Sequence, residues 1–184
     1  EVTPITNEDD EVIYKDEAPR EPDLEKVKSL DPSFMENGTV TAATSSPISI
    51  GSSSVLITSK KYAKKNNLKI RATIKARSIA GVDWRLMGMG PLPATDKVLK
   101  KSKLNLNDID VIELNEAFAA QACAVSKELG LPSDIVNPNG GAIALGHPVG
   151  ATGAIIMTKL IYELHRTGGR YGLATMCIGC LLYT

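Results

Sequence analysis

A glycine-rich segment that carries one histidine is the strongest chemical signal in this 184-residue sequence. Residues 139–153 read NGGAIALGHPVGATG, so that His147 stands between Gly146 and Pro148 just before a predicted helix. Glycine lets the backbone adopt positive φ angles and approach a ligand closely. Histidine, with an unperturbed pKa of about 6.5, is suited to proton transfer near neutral pH. The segment therefore predicts a turn that presents His147, either for proton transfer or only for hydrogen bonds within its own loop.

Two phosphate-binding loops are excluded by the same residues. The spacing of Gly141 and Gly146 matches a P-loop, but His147 and Pro148 occupy the positions where lysine and then serine or threonine are required. Residues 88–93, GMGPLP, begin like a dinucleotide-binding fingerprint and end in proline instead of glycine. We expect no nucleotide phosphate at either segment.

Cys177 follows a predicted strand, at the edge of the sheet where α/β proteins gather their sites. An isolated cysteine is also often a small buried hydrophobe. Residues 177–180 read CIGC, which permits a dithiol redox pair, although such a pair normally precedes a helix. A zinc site would need a second ligand pair that the sequence lacks, so we expect no metal site.

Asn115 and Phe118 occur in the segment NEAF, where a predicted strand meets a predicted helix. Asparagine is a common helix N-cap, and capping alone would explain Asn115. The functional alternative is an amide donor that points from the strand end into a cleft. Glu116 would favour the positive end of the following helix, and Phe118 would pack in the core or a pocket wall.

Strands and helices alternate along most of the chain and must position these groups. Residues 1–34 are rich in proline and charge and form peripheral structure, and 39–51 form a loop. Hydrophobic patterning predicts strands at 53–57, 70–79, 109–114 and 171–176, and helices at 60–67, 96–103, 116–129 and 152–166. This order indicates an α/β fold in which helices cover a mixed sheet.

Composition narrows the class of partner. Lysine plus arginine number 21 and aspartate plus glutamate number 21, so the formal net charge is zero. We therefore expect neither nucleic acid nor a membrane as partner, because binding to nucleic acid or to an acidic membrane depends on a basic surface. No apolar run reaches the roughly 18 residues of a membrane span, and the three cysteines are too sparse for a secreted disulfide framework. The expected location is cytoplasmic, with an organelle matrix as the alternative.

The motifs together resemble the thiolases, the acetyl-CoA C-acetyltransferases and 3-ketoacyl-CoA thiolases. The segments NEAFAAQ at 115–121, NGGAIALGHP at 139–148 and CIG at 177–179 occur in the order and at the separations that the family shows. Residues 81–83, GVD, and 87–91, MGMGP, add to the match, which extends from about residue 16 to 179.

The resemblance implies a thiolase-like layered α/β/α fold, a mixed sheet covered by helices and incomplete at both ends. Residues 1–69 would be a remnant of the loop region with the last strand and helix of the N-terminal thiolase domain. Residues 70–184 would be the C-terminal domain with its last strand truncated. In the family the site lies between the two domains, and the protein is a homodimer or homotetramer.

The resemblance also implies acyl transfer between acyl-CoA thioesters. The reaction is the condensation of two acetyl-CoA to acetoacetyl-CoA, or the reverse thiolysis of a 3-ketoacyl-CoA. His147 matches the histidine that activates the nucleophilic thiol, and Cys177 matches the cysteine that moves the α-proton. Asn115 matches the asparagine that holds a water in one oxyanion hole, and the amide of Gly179 matches a donor of the other. The positions that match substrate contacts are Ser46 for pantetheine, and Met87 and Phe118 for the acyl pocket.

Three departures from the family limit what the chain is expected to do alone. The nucleophilic cysteine belongs to an N-terminal half that this sequence lacks, and Cys123 stands mid-helix and cannot replace it. Pro47 and Ile50 replace a glycine and an aspartate of the pantetheine loop, and residues 180–184 leave the family pattern. We expect the chain to supply the acid/base and oxyanion-hole half of an acyltransferase and to be inactive alone.

The expected partners are an acyl-CoA substrate, the N-terminal thiolase half and further copies of the chain. No tightly bound cofactor is expected, since coenzyme A enters as substrate or product. Two alternatives remain open at this point: a non-catalytic thiolase-like remnant that binds a partner chain or acyl-CoA, and a C-x-x-C redox module.

Overall fold

The computed structural model describes residues 1–178 and has alternating helices and strands through its second half. Residues 179–184, which include the predicted Gly179 donor and Cys180 of the C-x-x-C pair, lie outside the described residues. The strands are β1 (Ile5–Thr6), β2 (Val12–Ile13), β3 (Val111–Leu114) and β4 (Gly172–Thr175). The α-helices are α1 (Leu24–Lys28), α2 (Lys60–Lys65), α3 (Pro91–Ser102), α4 (Ala119–Leu129), α5 (Ala142–Leu145) and α6 (Thr152–Thr167). Short 3₁₀ helices occupy Ala42–Thr44, Trp84–Met89 and Leu106–Asp108.

The central sheet pairs β3 and β4 in parallel, with Leu114 opposite Thr175, and Val136 extends it through a parallel bridge to Ile112. All four residues of β3 are buried, which is typical of a parallel strand covered on both faces. Strands β1 and β2 form a separate antiparallel hairpin. The carboxyl ends of β3 and β4 therefore lie side by side.

Helices cover both faces of this sheet. Ile112 and Leu114 pack in one cluster with Leu173 of β4 and with side chains of α3 and α4, such as Val125. Neighbouring residues along a strand point to opposite faces. Glu113 accordingly faces α6 and bonds Lys159 there. The structure is a three-layer α/β/α arrangement, as the fold class predicts.

Helix α6 approaches β4 closely because of one glycine. Ile156 and Leu160, four residues apart, are buried on the sheet side of α6. A Cβ at Gly172 would lie 2.7 Å from Leu160 Cδ1, so only glycine permits this spacing at the start of β4. Gly168, with φ of 74°, ends α6 in the left-handed conformation.

A buried ion pair joins the sheet to α6. Lys159 Nζ lies 2.9 Å from Glu113 Oε2 and also donates to the carbonyl of Gly140, which ties the glycine-rich segment to the same lysine. The side chains are 9% and 1% exposed. Burial raises the pKa of Glu113, against the opposing effect of Lys159.

Replacing Lys159 with alanine is expected to lower the free energy of unfolding by about 3–5 kcal/mol, because it leaves the Glu113 carboxyl buried without its partner. Lys127→Ala, at an exposed position of α4, is the control and should change stability little. Urea denaturation of both variants gives the comparison. A Lys159→Ala midpoint equal to that of the control would show that the pair contributes nothing to stability.

Two predicted strands are wrong. Residues 53–57 and 70–79 form no strand within the part of the chain that the structure describes. A strand needs a neighbour for its backbone groups, and neither segment has one among residues 1–178. Both instead line an apolar groove of about 1950 Å³, whose opposite wall is formed by β4 and α6.

The total accessible surface of the chain is larger than that of a compact protein of the same mass. The chain exposes 13331 Å², whereas a compact monomer of this mass exposes about 8,600 Å². Ile48 and Ile50 are fully exposed, and Trp84 is 84% exposed. The apolar groove together with these exposed side chains indicates an interaction surface.

The predicted helix limits were correct in the helix interiors and differed at the ends. Helix α3 begins at Pro91, five residues before the predicted start, since proline is favoured in the first turn. Helix α4 begins at Ala119, three residues after the predicted start. Among residues 1–178, no helix combines the length and apolarity needed to cross a bilayer.

Candidate functional site

Asn115 continues the line of β3 instead of capping a helix. Its N–H donates to the carbonyl of Thr175 at 3.0 Å, so the backbone stays paired with β4 beyond Leu114. The N-cap of α4 is Phe118, three residues later, and the capping interpretation of Asn115 is therefore wrong. The Asn115 side chain is left available for another contact, and the residue is only 1% exposed.

His147 is presented by the turn between α5 and α6, as the glycine pattern predicts. Gly146 has φ of 100°, and a Cβ there would lie 2.5 Å from Ser49 Oγ. Glycine thus permits both the bend and the close approach of the loop at 45–51. The His147 N–H donates to Ser49 Oγ at 3.3 Å, which ties the backbone at His147 to that loop.

The imidazole of His147 lies between two polar side chains. Nε2 is 3.5 Å from Nδ2 of Asn115, and Nδ1 is 2.7 Å from Oγ1 of Thr152. Partial burial lowers the pKa of His147 below its usual value, so the ring is neutral at pH 7. Oδ1 of Asn115 is buried and has no hydrogen-bond partner among residues 1–178. The structure thus joins two residues that are 32 positions apart in the sequence.

Cys177 lies at the same edge of the sheet. The register of β3 and β4 continues through Asn115, which places residue 176 beside Asn115 and Cys177 one residue further on. Cys177 is 7% exposed and lines the apolar groove. Burial raises the pKa of its thiol above the usual range, so it is protonated at neutral pH. No hydrogen bond joins Cys177 to His147 within residues 1–178, and His147 does not line that groove.

A network that sequence analysis missed holds the loop in front of His147. Glu116 accepts hydrogen bonds from Asn137 Nδ2 at 3.0 Å and from the N–H of Ile143, at the start of α5, at 3.2 Å. The Asn137 side chain in turn bonds both backbone groups of Leu114. Sequence analysis predicted that Glu116 interacts with the N-terminus of the helix that follows it, α4. In the structure its carboxylate instead bonds the N-terminus of α5. No spacing rule connects positions 116, 137 and 143.

The Gly141→Ala variant is expected to lose about 1–3 kcal/mol of unfolding free energy, because a Cβ at Gly141 would fall on the Glu116 carboxylate and separate it from Ile143. Gly150→Ala is a matched control, since a Cβ there has no heavy atom within 4 Å. Thermal unfolding of the two variants tests the difference. Equal midpoints would mean that the Glu116 contacts do not stabilise the loop.

The predicted substrate-contact residues occupy separate places. Ser46 binds the NEAF segment, since its N–H and its hydroxyl both donate to the carbonyl of Ala117, at 3.0 and 3.1 Å. Met87 is half-buried in the 3₁₀ helix Trp84–Met89 and lines the apolar groove. Phe118 packs edge-to-face on Phe34, with ring centroids 6.1 Å apart. Phe118 is not among the residues that line this groove.

Two family models match nearly the whole chain. The model described as "Thiolase, C-terminal domain" matches residues 68–181, and the model described as "Thiolase, N-terminal domain" matches residues 1–61. The chain belongs to the thiolase family. The resemblance read from the three motifs is thereby confirmed, as is the thiolase-like α/β fold.

Named thiolases share about half of their aligned residues with this thiolase-family chain. It is 50% identical over 171 residues to the 3-oxoadipyl-CoA/3-oxo-5,6-dehydrosuberyl-CoA thiolase of Escherichia coli strain K12, covering 92% of this chain and 43% of that protein. It is 54% identical over 160 residues to a 3-ketoacyl-CoA thiolase of Vibrio parahaemolyticus, covering 85% of this chain and 41% of that protein. This thiolase-family chain spans less than half the length of these curated relatives.

Solved thiolase-family structures superpose on it closely. The acetyl-CoA acetyltransferase of Bacillus anthracis has a TM-score of 0.88 at 44% identity, over 96% of this chain and 46% of that chain. Human mitochondrial 3-ketoacyl-CoA thiolase in complex with CoA has a TM-score of 0.86 at 39% identity, over 96% of this chain and 44% of that chain. The homologues are named as thiolases and acetyl-CoA acetyltransferases, which are acyltransferases, and one of the solved structures is a complex with CoA.

Proposed function

We propose that this chain supplies the acid/base and oxyanion-hole half of a thiolase that transfers acyl groups between acyl-CoA thioesters. The observation that carries the proposal is the contact of the Asn115 amide with the His147 imidazole, at a sheet edge that ends in Cys177. The nucleophilic cysteine is proposed to come from thiolase sequence outside these 184 residues. Cys123 is exposed on α4 and unsuited to that role.

His147 is proposed to activate the nucleophile. A thiol with a pKa of about 8.5 is mostly protonated at pH 7 and needs a base to become an effective nucleophile. The neutral imidazole favoured by burial can accept that proton. The resulting N–H then becomes a donor toward the thioester oxygen, where negative charge develops.

Cys177 is proposed to move the α-proton. In thiolysis, an enolate leaves when the carbon–carbon bond of the 3-ketoacyl group breaks, and it takes a proton at its α-carbon. The protonated thiol that burial favours is the form that gives this proton. In condensation His147 passes the nucleophile's proton to the departing CoA thiolate and then takes the proton of Cys177. The Cys177 thiolate removes the α-proton of the second acetyl-CoA, the carbanion attacks the acyl-enzyme, and the displaced nucleophile thiolate takes its proton back from His147.

Asn115 is proposed to stabilise the oxygen of the same thioester. Its amide is fixed by burial and by the backbone bond to Thr175, so that donor geometry is set before the substrate binds. In the family this residue holds a water beside the histidine. The Gly179 amide is proposed as a donor of the second oxyanion hole, by its match to the family motif alone.

The remaining half of a thiolase chain is proposed to cover the groove and its rim. The family relatives are about twice as long as this chain, and the exposed area exceeds that of a compact monomer by roughly half. We further propose the division at residues 69 and 70, a homo-oligomer, and acyl-CoA as the substrate. The solved CoA complex of a family member supports CoA as the ligand class.

A second candidate is a thiolase-like remnant that binds without turnover. The segment at 47–50 favours it, since Pro47 stiffens the loop and Ile50, at a position where the family has an aspartate, is fully exposed. The two functions differ in one readout, namely turnover.

The deciding experiment uses the full-length protein with acetyl-CoA, and separately with acetoacetyl-CoA and CoA. Release of CoA from acetyl-CoA, or formation of acetyl-CoA from acetoacetyl-CoA, supports the enzyme. The 184-residue chain alone is the control and should show neither reaction. A folded full-length protein that binds acyl-CoA and turns over in neither direction would establish the remnant instead.

A further inference from the structure

We propose that Thr152 is a positioning residue that fixes the tautomer of His147, with the hydrogen on Nδ1 and the lone pair on Nε2. The inference rests on the proposed function, since it explains which nitrogen of His147 can receive the thiol proton. It assigns a role to the first residue of α6, which no motif argument singled out.

Hydrogen-bond accounting at Thr152 determines the direction of each bond. The Thr152 hydroxyl lies 2.9 Å from the carbonyl oxygen of Pro148 and 2.7 Å from His147 Nδ1. Both contacts can be hydrogen bonds at the same time only when the single hydroxyl hydrogen goes to the Pro148 carbonyl, because a carbonyl oxygen cannot donate. The Thr152 oxygen must then accept from the imidazole, and Nδ1 must carry a hydrogen.

The other side of the ring agrees with this assignment. A neutral imidazole with a hydrogen on Nδ1 has its lone pair on Nε2. The group nearest to Nε2 is the Nδ2 amide of Asn115, which donates and cannot accept. The opposite tautomer would set two donors against each other at 3.5 Å.

The hydroxyl of Thr152 is not needed to satisfy Pro148. The carbonyl of Pro148 also accepts the N–H groups of Ala151 and Thr152, at 2.8 and 2.9 Å. Helix α6 takes no side-chain cap from Thr152, because its N-cap is Ala151. The group that loses its partner when the hydroxyl is removed is therefore His147 Nδ1. Thr152 is 3% exposed, so solvent cannot easily replace the hydroxyl.

Tautomer control matters because proton transfer needs the lone pair at the nitrogen that faces the reaction. With the hydrogen on Nε2, His147 could not accept the thiol proton without first exchanging hydrogens. Thr152 would thus act on the chemical step and leave substrate binding almost unchanged.

The test uses the full-length protein with ¹⁵N-labelled histidine and three variants. Thr152→Val removes the hydroxyl at nearly constant shape, Thr152→Ser keeps it, and Thr158→Val removes a hydroxyl elsewhere on α6 as the matched control. The imidazole ¹⁵N resonances of His147, assigned with a His147→Asn variant, report the tautomer. Kinetics of CoA release give kcat, KM and the pH profile.

We expect the Nδ1–H tautomer to predominate in the wild type and in the serine and Thr158→Val proteins. In Thr152→Val we expect both tautomers, with kcat lowered by about 10²-fold and KM little changed. An Nε2–H tautomer in the wild type would overturn the inference, even if the valine variant failed to fold. A Thr152→Val protein that loses activity with its tautomer unchanged, or that keeps wild-type kcat, would overturn it as well. A wild type with the Nδ1–H tautomer but no turnover would refute the proposed function and leave the Thr152 assignment standing.

Discussion

Replacing His147 with alanine should lower kcat for CoA release from acetyl-CoA by about 10²–10⁴-fold in the full-length protein. This one change removes two functions of His147. The variant lacks the base for the nucleophilic thiol, and it lacks the donor that lies beside Asn115 for the thioester oxygen. Since the ring is only partly buried and makes two side-chain contacts, the fold should survive. Stopped-flow or steady-state thiol detection measures the rate, and circular dichroism reports the fold.

The matched control for this variant is His165→Ala, the other histidine of the chain. His165 is exposed on α6 and bonds the carbonyl of Arg71, away from Asn115 and His147. It should keep the wild-type rate. If His147→Ala were as active as His165→Ala, the assignment of His147 as the base would be wrong.

The Cys177→Ala variant should separate the two halves of the reaction. The enzyme should still form the acyl-enzyme, because that step uses the nucleophile and His147. It should fail to remove the α-proton of the second acetyl-CoA, and the steady-state rate should fall by about 10²–10⁴-fold. Rapid mixing should therefore show a burst of CoA release without continued turnover.

Cys123→Ala is the control for this experiment, since Cys123 is an exposed thiol on α4. It should give both the burst and full turnover. Loss of the burst in a folded Cys177→Ala protein would assign Cys177 to the acylation step instead. Full turnover in that protein would remove Cys177 from the chemistry altogether.

Secondary structure was predicted best from the sequence where the hydrophobic pattern and the residues that end helices and strands agree. Helix α6 repeats apolar residues at helical spacing and ends at Gly168, and β3 is a buried run followed by polar residues. The turn that carries His147 was also predictable, because closely spaced glycines followed by a proline are typical of a bend in the backbone. Each of these features depends on neighbours close in the sequence.

The failures arise where the partner is distant in sequence or is not among the described residues. Residues 70–79 alternate like a strand, yet a strand exists only when another strand satisfies its backbone. Asn115 looks like an N-cap, but the Thr175 carbonyl holds its backbone in line with β3 and the helix starts later. Glu116 and Thr152 act on groups whose positions follow from the folded loop, and pattern alone does not contain that information.

One measurement bears most directly on the claim that the His147 imidazole and the Cys177 sulfur act on the same acyl-CoA: a crystal structure of the full-length protein with an acyl-CoA bound. We expect the thioester group beside the His147 ring, on the side of Asn115, and the α-carbon next to Cys177 Sγ. A bound thioester that contacts only one of the two groups, or that lies on another face of the protein, would contradict the account.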